Sequence, residues 1–553
     1  MKTKIQKIFV LKAAIISSII LVGSLTGCED FLDRQPLDQL STETFWKTES
    51  DAMLALTGVY FIEGQNATGA KQNYDLWNQD AHLRLFEATT DNGFEKDNGV
   101  TDFNNGDLTP AYGPVRDLWT TCYRKIAKCN NFLDHIDNVT MDQNKLAEMK
   151  AEVRAIRAFD YFYLAFLWGD VPLVKTVLSV DESNTVTRNS RAEVMTFVID
   201  ELKSAISDLP VSRPNEQRGR ITKGGALGML GRVYLAEKKW EDAKSIYKQI
   251  MDLNIYIIDP RFKELFEDGG ENSQEIILTS KRMPEIYGNS LHLSCLGFTW
   301  GGYHHYSPYN ELVEEFECID GKPISESPLY NIDKPYENRD PRLLKTIFVD
   351  AITRYKGTIY VAHPDSSPSK YPDQLTRRPW SGYMLKKFCD EGYSGDVRVY
   401  GGDFPMIRYA EVLLSYLEAN IESGTSITQD LLDQTINKVR SRTEISMPPV
   451  TETDPTKLKI ILRRERRVEL AWEGLRLYDL LRWRIAHINL KGRVHGMKLC
   501  TSEQAPTYTK FPVNSNGYYF CEETFFRENV DYLWPIPQTE RDVNPNLTQN
   551  QGY

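Results

Sequence analysis

Apolar residues recur at helical spacing from about residue 114 to 251 and again from 408 to 483, and between these stretches the period fails. From Pro114 the pattern turns Leu118, Cys122, Ile126 and Leu133 to one face. AEVRAIRAFDYFYLAFLWGDVPLV, from Ala151, begins amphipathic and becomes almost wholly apolar over Phe159 to Trp168, which predicts a helix covered on most sides. Gly169 and Pro172 mark its exit, and Arg191 to Asp208 is a further amphipathic helix. Earlier, Thr48 and Asp51 have capping-box spacing ahead of AMLALTGVY. Later, RYAEVLLSYLEANIE and Leu431 to Val439 give two more helices, and ILRRERRVELAWEGLRLYDLLRW predicts one long charged helix, Ile461 to Trp483. Its Glu465 and Glu469 lie one turn apart among arginines, and Glu473 and Arg476 are three apart. This favours an ion-pair lattice over an acid and base pair, which would need a cleft and unequal pKa values.

The strongest local pattern is Lys223 to Met251, KGGALGMLGRVYLAEKKWEDAKSIYKQIM, read as two antiparallel helices turning near Lys238 and Lys239. Leu230, Gly231, Tyr234, Ala243 and Tyr247 have the spacing of one tetratricopeptide-type unit. Gly231 and Ala243 let the backbones approach while the larger side chains fill the space around them. Such a hairpin cannot bury its apolar face alone, so neighbours must stack on it. The alternative is an ordinary hairpin in a helical domain. The fold class is mainly α, with tetratricopeptide-like repeats and long loop-rich insertions.

The insertions hold the candidate chemistry. Residues 64–112 are rich in Asn, Asp, Gly and Thr around Trp77, a composition of connections that carry recognition residues on a rigid body. Asp91 to Asp107 has many oxygen donors without the full calcium-loop pattern, so a solvated loop is expected there, with calcium the only cofactor considered. In the second insertion, 259–403, EIILTS predicts a short strand, and GFTWGGYHHYSPYN sets Trp300, Tyr303, Tyr306 and Tyr309 among glycines. Rings in a polar loop either dock onto the body or offer a face to the C–H side of a sugar. The adjacent His304 and His305 lack the spaced carboxylate of zinc-protease motifs. Trp380 and Tyr383, within 371–403, offer a second wall for the same cleft. The ending YLWPIPQTERDVNPNLTQNQGY predicts an extended tail, fastened by Arg541 and Asp542.

Of the 553 residues, 41% are hydrophobic and 26% charged, with a net charge of -11, so the chain is a soluble globular body without a nucleic-acid surface. Lys2, Lys4 and Lys7 precede an apolar run, Ala13 to Leu25, too short for a comfortable membrane span. The run ends in Leu25-Thr26-Gly27-Cys28, which resembles a bacterial lipoprotein processing box. Residues 1–27 are therefore expected to be a signal peptide and Cys28 the lipid-bearing first mature residue, followed by Glu29, Asp30 and Asp33 as in surface-exported lipoproteins of the Bacteroidetes. The seven remaining cysteines are an odd number, widely spaced and without a C-x-x-C pair, so neither a disulfide scaffold nor a thiolate zinc site is expected.

CEDFLDRQPLDQLSTETFWKTESDAMLALTGVY, RAIRAFDYFYLAFLWGDVPLV, RYAEVLLSYLEAN, RRERRVELAWEGLRLYDLLRW and the LWPIPQTERDVNPNLTQNQGY ending together resemble the SusD/RagB family over essentially the whole mature chain. Gln551 departs from the proline of the family's N-P-G-Y ending. The resemblance implies one helical body, 28–553, lipid-anchored on the outer membrane and facing outward. It would cap a SusC-like, TonB-dependent barrel, hand over glycan or oligosaccharide, and perform no covalent chemistry. Family sugar contacts vary, so the binding candidates, Trp77, Trp300, Tyr303 and Tyr306, rest on ring chemistry and loop context. The alternatives are a surface glycoside hydrolase, a peptide-binding uptake cap and a structural adaptor.

Overall fold

The computed structural model describes residues 45–61, 74–95, 101–284 and 286–553; Cys28 and the signal segment lie outside them. Helix α1, Glu49–Tyr60, starts at the Thr48–Asp51 capping box that its sequence predicts. Then come α2, Gly113–His135, and α3, Gln143–Trp168, which begins earlier than its apolar run because Asp142 caps it. From Ala151 on, α3 is buried on nearly every side, and it stops at Gly169 with φ 77°, a left-handed turn suited to glycine. Helices α4, Arg191–Asp208, α5, Lys223–Ala236, and α6, Trp240–Asp252, follow. Gly231 of α5 faces the Tyr247 ring of α6 so closely that a Cβ would lie 2.5 Å from it. The chain completes the layer with α7, Tyr409–Glu422, and α8, Pro455–Glu469, so that from α2 to α8 each helix packs on the next. The protein is mainly α-helical.

Short strands tie the insertions to this stack. β1, Thr89–Thr90, and β2, Gly93–Glu95, are followed by β3, Ile276–Ser280, the strand expected from EIILTS. β4, Tyr306–Pro308, pairs with β2, and β5, Phe404–Arg408, lies antiparallel to β3 with Ile276 opposite Arg408.

Three expectations are corrected. The long charged helix is broken: Trp472 at φ 62° and Gly474 at φ 82° turn the chain between α8 and α9, Arg476–Arg482. Glu473 therefore reaches Arg408 at 2.6 Å and Lys387 at 2.5 Å, while Arg476 pairs with Asp91 at 2.7 Å, and the two do not pair with each other. Residues 74–95 of the polar insertion are not solvated connections but buried, with charged groups such as Arg84, Glu87 and Asp91 held by partners inside the protein. Asp91 receives Arg467, Arg476 and Asn489, which spends on arginines the charge a calcium ion would use. The tail contains a short helix, Gln538–Val543, and neither Arg541 nor Asp542 forms an ion pair among the described residues. It is held instead by Asn550, donating to Trp168 O at 2.8 Å and Trp534 O at 2.7 Å, and by Trp168 donating to Pro535 O at 2.9 Å.

The expected ion-pair lattice is present beneath α8. Arg342 reaches Asp340 at 2.7 Å, Glu465 at 2.6 Å and Glu469 at 2.9 Å. Arg408 joins Glu275 and Glu469, each at 2.7 Å, and Arg442 joins the same two at 2.8 and 2.9 Å. Arg440 closes the set on Glu317 and Glu465. Burial alone would raise the Glu465 and Glu469 carboxyls, but the surrounding arginines hold both below their ordinary value.

Candidate functional site

The aromatic loop after β3 is braced from behind. Asp373 accepts the Phe298 and Thr299 backbone N–H groups, each at 2.9 Å, and the Thr299 hydroxyl at 2.6 Å. Gly301 sits at φ 81°, where the loop reverses, and a side chain on Gly302 would strike the Leu296 carbonyl at 2.1 Å. The two halves of the 259–403 insertion meet here. The Trp380 ring lies 4.6 Å from His304, and the Arg378 guanidinium lies 4.1 Å over Phe298.

The four candidate rings do not share one face. Trp300 is half-buried, packed 5.1 Å from Phe348 and 5.5 Å from Tyr355. Tyr303 is 46% exposed and touches His305 at 5.4 Å. Tyr306 is fully buried, because strand pairing through β4 turns it inward onto Trp472. Trp77 is only 4% exposed, but its position is informative: it lines a groove of about 390 Å³ between α1 and the chain that follows β3.

Several elements converge to build this groove. Lys125, from α2, bonds the Phe61 carbonyl at the end of α1 and the Asp75 carboxylate, while Asp75 accepts the Trp77 N–H at 2.9 Å. The Trp77 carbonyl accepts the Ser280 hydroxyl at the end of β3, and its ring packs edge-on against Tyr60 and Phe159. Phe61, 43% exposed, and Tyr287 form an open aromatic wall, with centroids 5.7 Å apart. Met283 and Ile286 extend the apolar surface, while Arg218, Arg220, Lys281 and Arg282 supply the polar lining. An apolar wall with a few convergent polar groups suits a ring-shaped, hydroxyl-rich ligand. Sequence reasoning finds Trp77 but misses Phe61, Arg218 and Tyr287. The usable signal was a basic and aromatic run, Lys281 to Tyr287, immediately after a predicted strand.

Among the described residues, no group of three or more His, Cys, Asp or Glu is arranged to hold a metal ion. His305 stays neutral, because burial lowers it to about 3.

A stack of packed helices carrying a groove between a helix end and a strand end defines a helical binding scaffold. Comparison with known proteins specifies it further. The profile of the SusD family matches residues 279–553, and that described as starch-binding, associating with the outer membrane, matches residues 30–235. A crystal structure of a SusD-like carbohydrate binding protein from Bacteroides fragilis is 36% identical, with a TM-score of 0.85 over 91% of this chain and 100% of that one. A SusD-like protein of Formosa agariphila is 25% identical over 98% of this chain and 99% of its own. The starch-binding protein SusD of Bacteroides thetaiotaomicron is 23% identical over the full length of both. The chain belongs to the SusD/RagB family of outer-membrane carbohydrate-binding proteins.

Proposed function

We propose that the protein captures a glycan or oligosaccharide at the cell surface and delivers it to a SusC-like, TonB-dependent outer-membrane transporter, held at the membrane by lipid on Cys28. The observation that carries this reading is the groove, with Phe61 and Tyr287 as an open wall and Trp77 fixed in its lining. Tyr303 and Trp300 supply a second aromatic contact on the braced loop. The starch-binding and carbohydrate-binding relatives support the ligand class. The helix pairs are read as tetratricopeptide-like repeats, in keeping with the continuous packing from α2 to α8.

The role is binding without chemistry. Glycoside hydrolysis by Glu465 and Glu469 is disfavoured, because both are buried among arginines and held ionised, so neither can serve as the acid. The test is gentle detergent extraction of the full-length lipidated protein from its native outer membrane, with identification of what co-elutes at fixed stoichiometry. A large TonB-dependent barrel is expected. Its absence from an extract that preserves other such complexes would overturn the delivery role, and a screen of defined peptides beside glycans separates peptide cargo from sugar.

A further inference from the structure

The groove has an unbalanced charge. Of its four cations, two are neutralised: Lys281 meets Glu271 at 3.0 Å and Asp403 at 3.4 Å, and Arg220 meets Glu152 at 2.5 Å and Glu148 at 3.5 Å. The other two, Arg218 and Arg282, form no ion pair among the described residues. Among the described residues, the Arg218 side chain donates only to the Asn272 side-chain oxygen, at 2.6 Å, and Asp403 and Glu271 act on it from longer range. Arg282 is 2% exposed and bonds neutral oxygens: Asn78 and Gln79, each at 3.0 Å, and the Trp77 carbonyl at 3.5 Å. Its Nε and Nη1 have no hydrogen-bond partner among the described residues.

This is unusual within the molecule. Arg232, Arg342, Arg408, Arg442, Arg466 and Arg482, all as deeply buried, each have a carboxylate. Arg339 has none, but it is satisfied by the Val313, Pro335 and Phe316 carbonyls. A buried cation without a counter-charge is costly, and the cost falls when an anion arrives. Tyr287 covers the Arg282 guanidinium at 5.2 Å and lines the groove above it, so Arg282 acts through its field while Arg218, only partly buried, is open to direct contact. Three aspartates act on Arg282 from neighbouring elements, but none pairs with its guanidinium: Asp75 is engaged by Lys125, Asp80 by Arg84, and Asp403 accepts the Arg282 backbone N–H at 2.8 Å and meets Lys281 at 3.4 Å.

We propose that the groove takes an acidic saccharide: a sugar ring laid on Phe61 and Tyr287, with an anionic substituent at Arg218 over the buried charge of Arg282. The proposal rests on the groove being the glycan site. Uronate carboxylates and sulfate esters share this chemistry, so both belong in the test. Calorimetry would compare oligogalacturonate, a glucuronate-bearing oligosaccharide and a sulfated galactan oligosaccharide, each with its uncharged counterpart. The full-length protein, Arg218→Gln and Phe61→Ala would all be measured.

An acidic member is expected to bind about tenfold or more tighter than its neutral counterpart. That preference should shrink toward one in Arg218→Gln and weaken as salt is raised from 50 to 500 mM, roughly in line with screening. The class that binds, uronate or sulfate, identifies the anion. A panel in which no acidic member exceeds its neutral counterpart, or a preference that survives Arg218→Gln, overturns the proposal. If Phe61→Ala still weakens binding in that case, the glycan groove stands without its acidic preference. If Phe61→Ala changes nothing for any member that binds, the groove reading falls as well.

Discussion

The lattice beneath α8 and the groove beside α1 are both built from buried arginines, but they balance charge in opposite ways. In the lattice, Arg342, Arg408, Arg440 and Arg442 share Glu275, Glu465 and Glu469 within 3 Å, and every cation has a carboxylate. In the groove, the guanidinium groups of Arg218 and Arg282 bond only neutral oxygens among the described residues. Satisfied charge fixes a body, whereas unsatisfied charge at a surface opening is a place where a ligand can complete the structure.

The largest effect should come from breaking the lattice. Glu469→Ala leaves Arg408, Arg442 and Arg342 each short of a partner and should cost roughly 3–5 kcal/mol, read as a lowered urea midpoint. Its pH signature follows from sign. The Glu465 and Glu469 carboxyls are depressed in the fold, so their stabilisation is present above the ordinary carboxylate range and is lost as pH falls below it.

Glu87 should behave in the opposite sense. Burial raises it from 4.5 to about 7, despite N–H donors from Gly474, Leu475 and Arg476. Its contribution is complete below 4.5 and disappears as pH rises through about 7. Melting temperature should therefore fall between pH 5 and 8 by more in the parent than in Glu87→Gln. Equal slopes would remove Glu87 as the cause.

On the groove side, Phe61→Ala and Tyr287→Ala should each lose about 0.5–1.5 kcal/mol of glycan affinity in calorimetry, with little change in melting for the half-open Phe61. Tyr303→Ala should have the smallest effect, a change of about threefold or less, because Tyr303 lies outside the groove lining. A larger loss there than at Phe61 would move the principal contact to the braced loop.

Much of the fold was legible. The period of α2 to α6, the Thr48 capping box and the close approach at Gly231 are local, and local rules read them. The lattice was legible as well, because Glu465 and Glu469 alternate with arginines on one helix. The break at Trp472 was not, since Leu-Ala-Trp-Glu is good helical sequence and only tertiary partners for Glu473 and Arg476 make the turn worthwhile. Residues 74–95 misled for a related reason: composition reports polarity, not whether each polar group finds a buried partner. The groove needed Phe61, Arg218 and Tyr287 brought together from distant positions, and no spacing rule reaches across them.

The most direct test of the central claim, glycan capture in the groove, is calorimetry of the parent and the Phe61→Ala/Tyr287→Ala double variant against the tightest-binding glycan of a screened panel, with melting curves recorded alongside. The account predicts a loss of affinity of about fivefold or more, the roughly 1–3 kcal/mol sum of two ring contacts, with the helical body still melting cooperatively. Unchanged affinity in a folded double variant would contradict it.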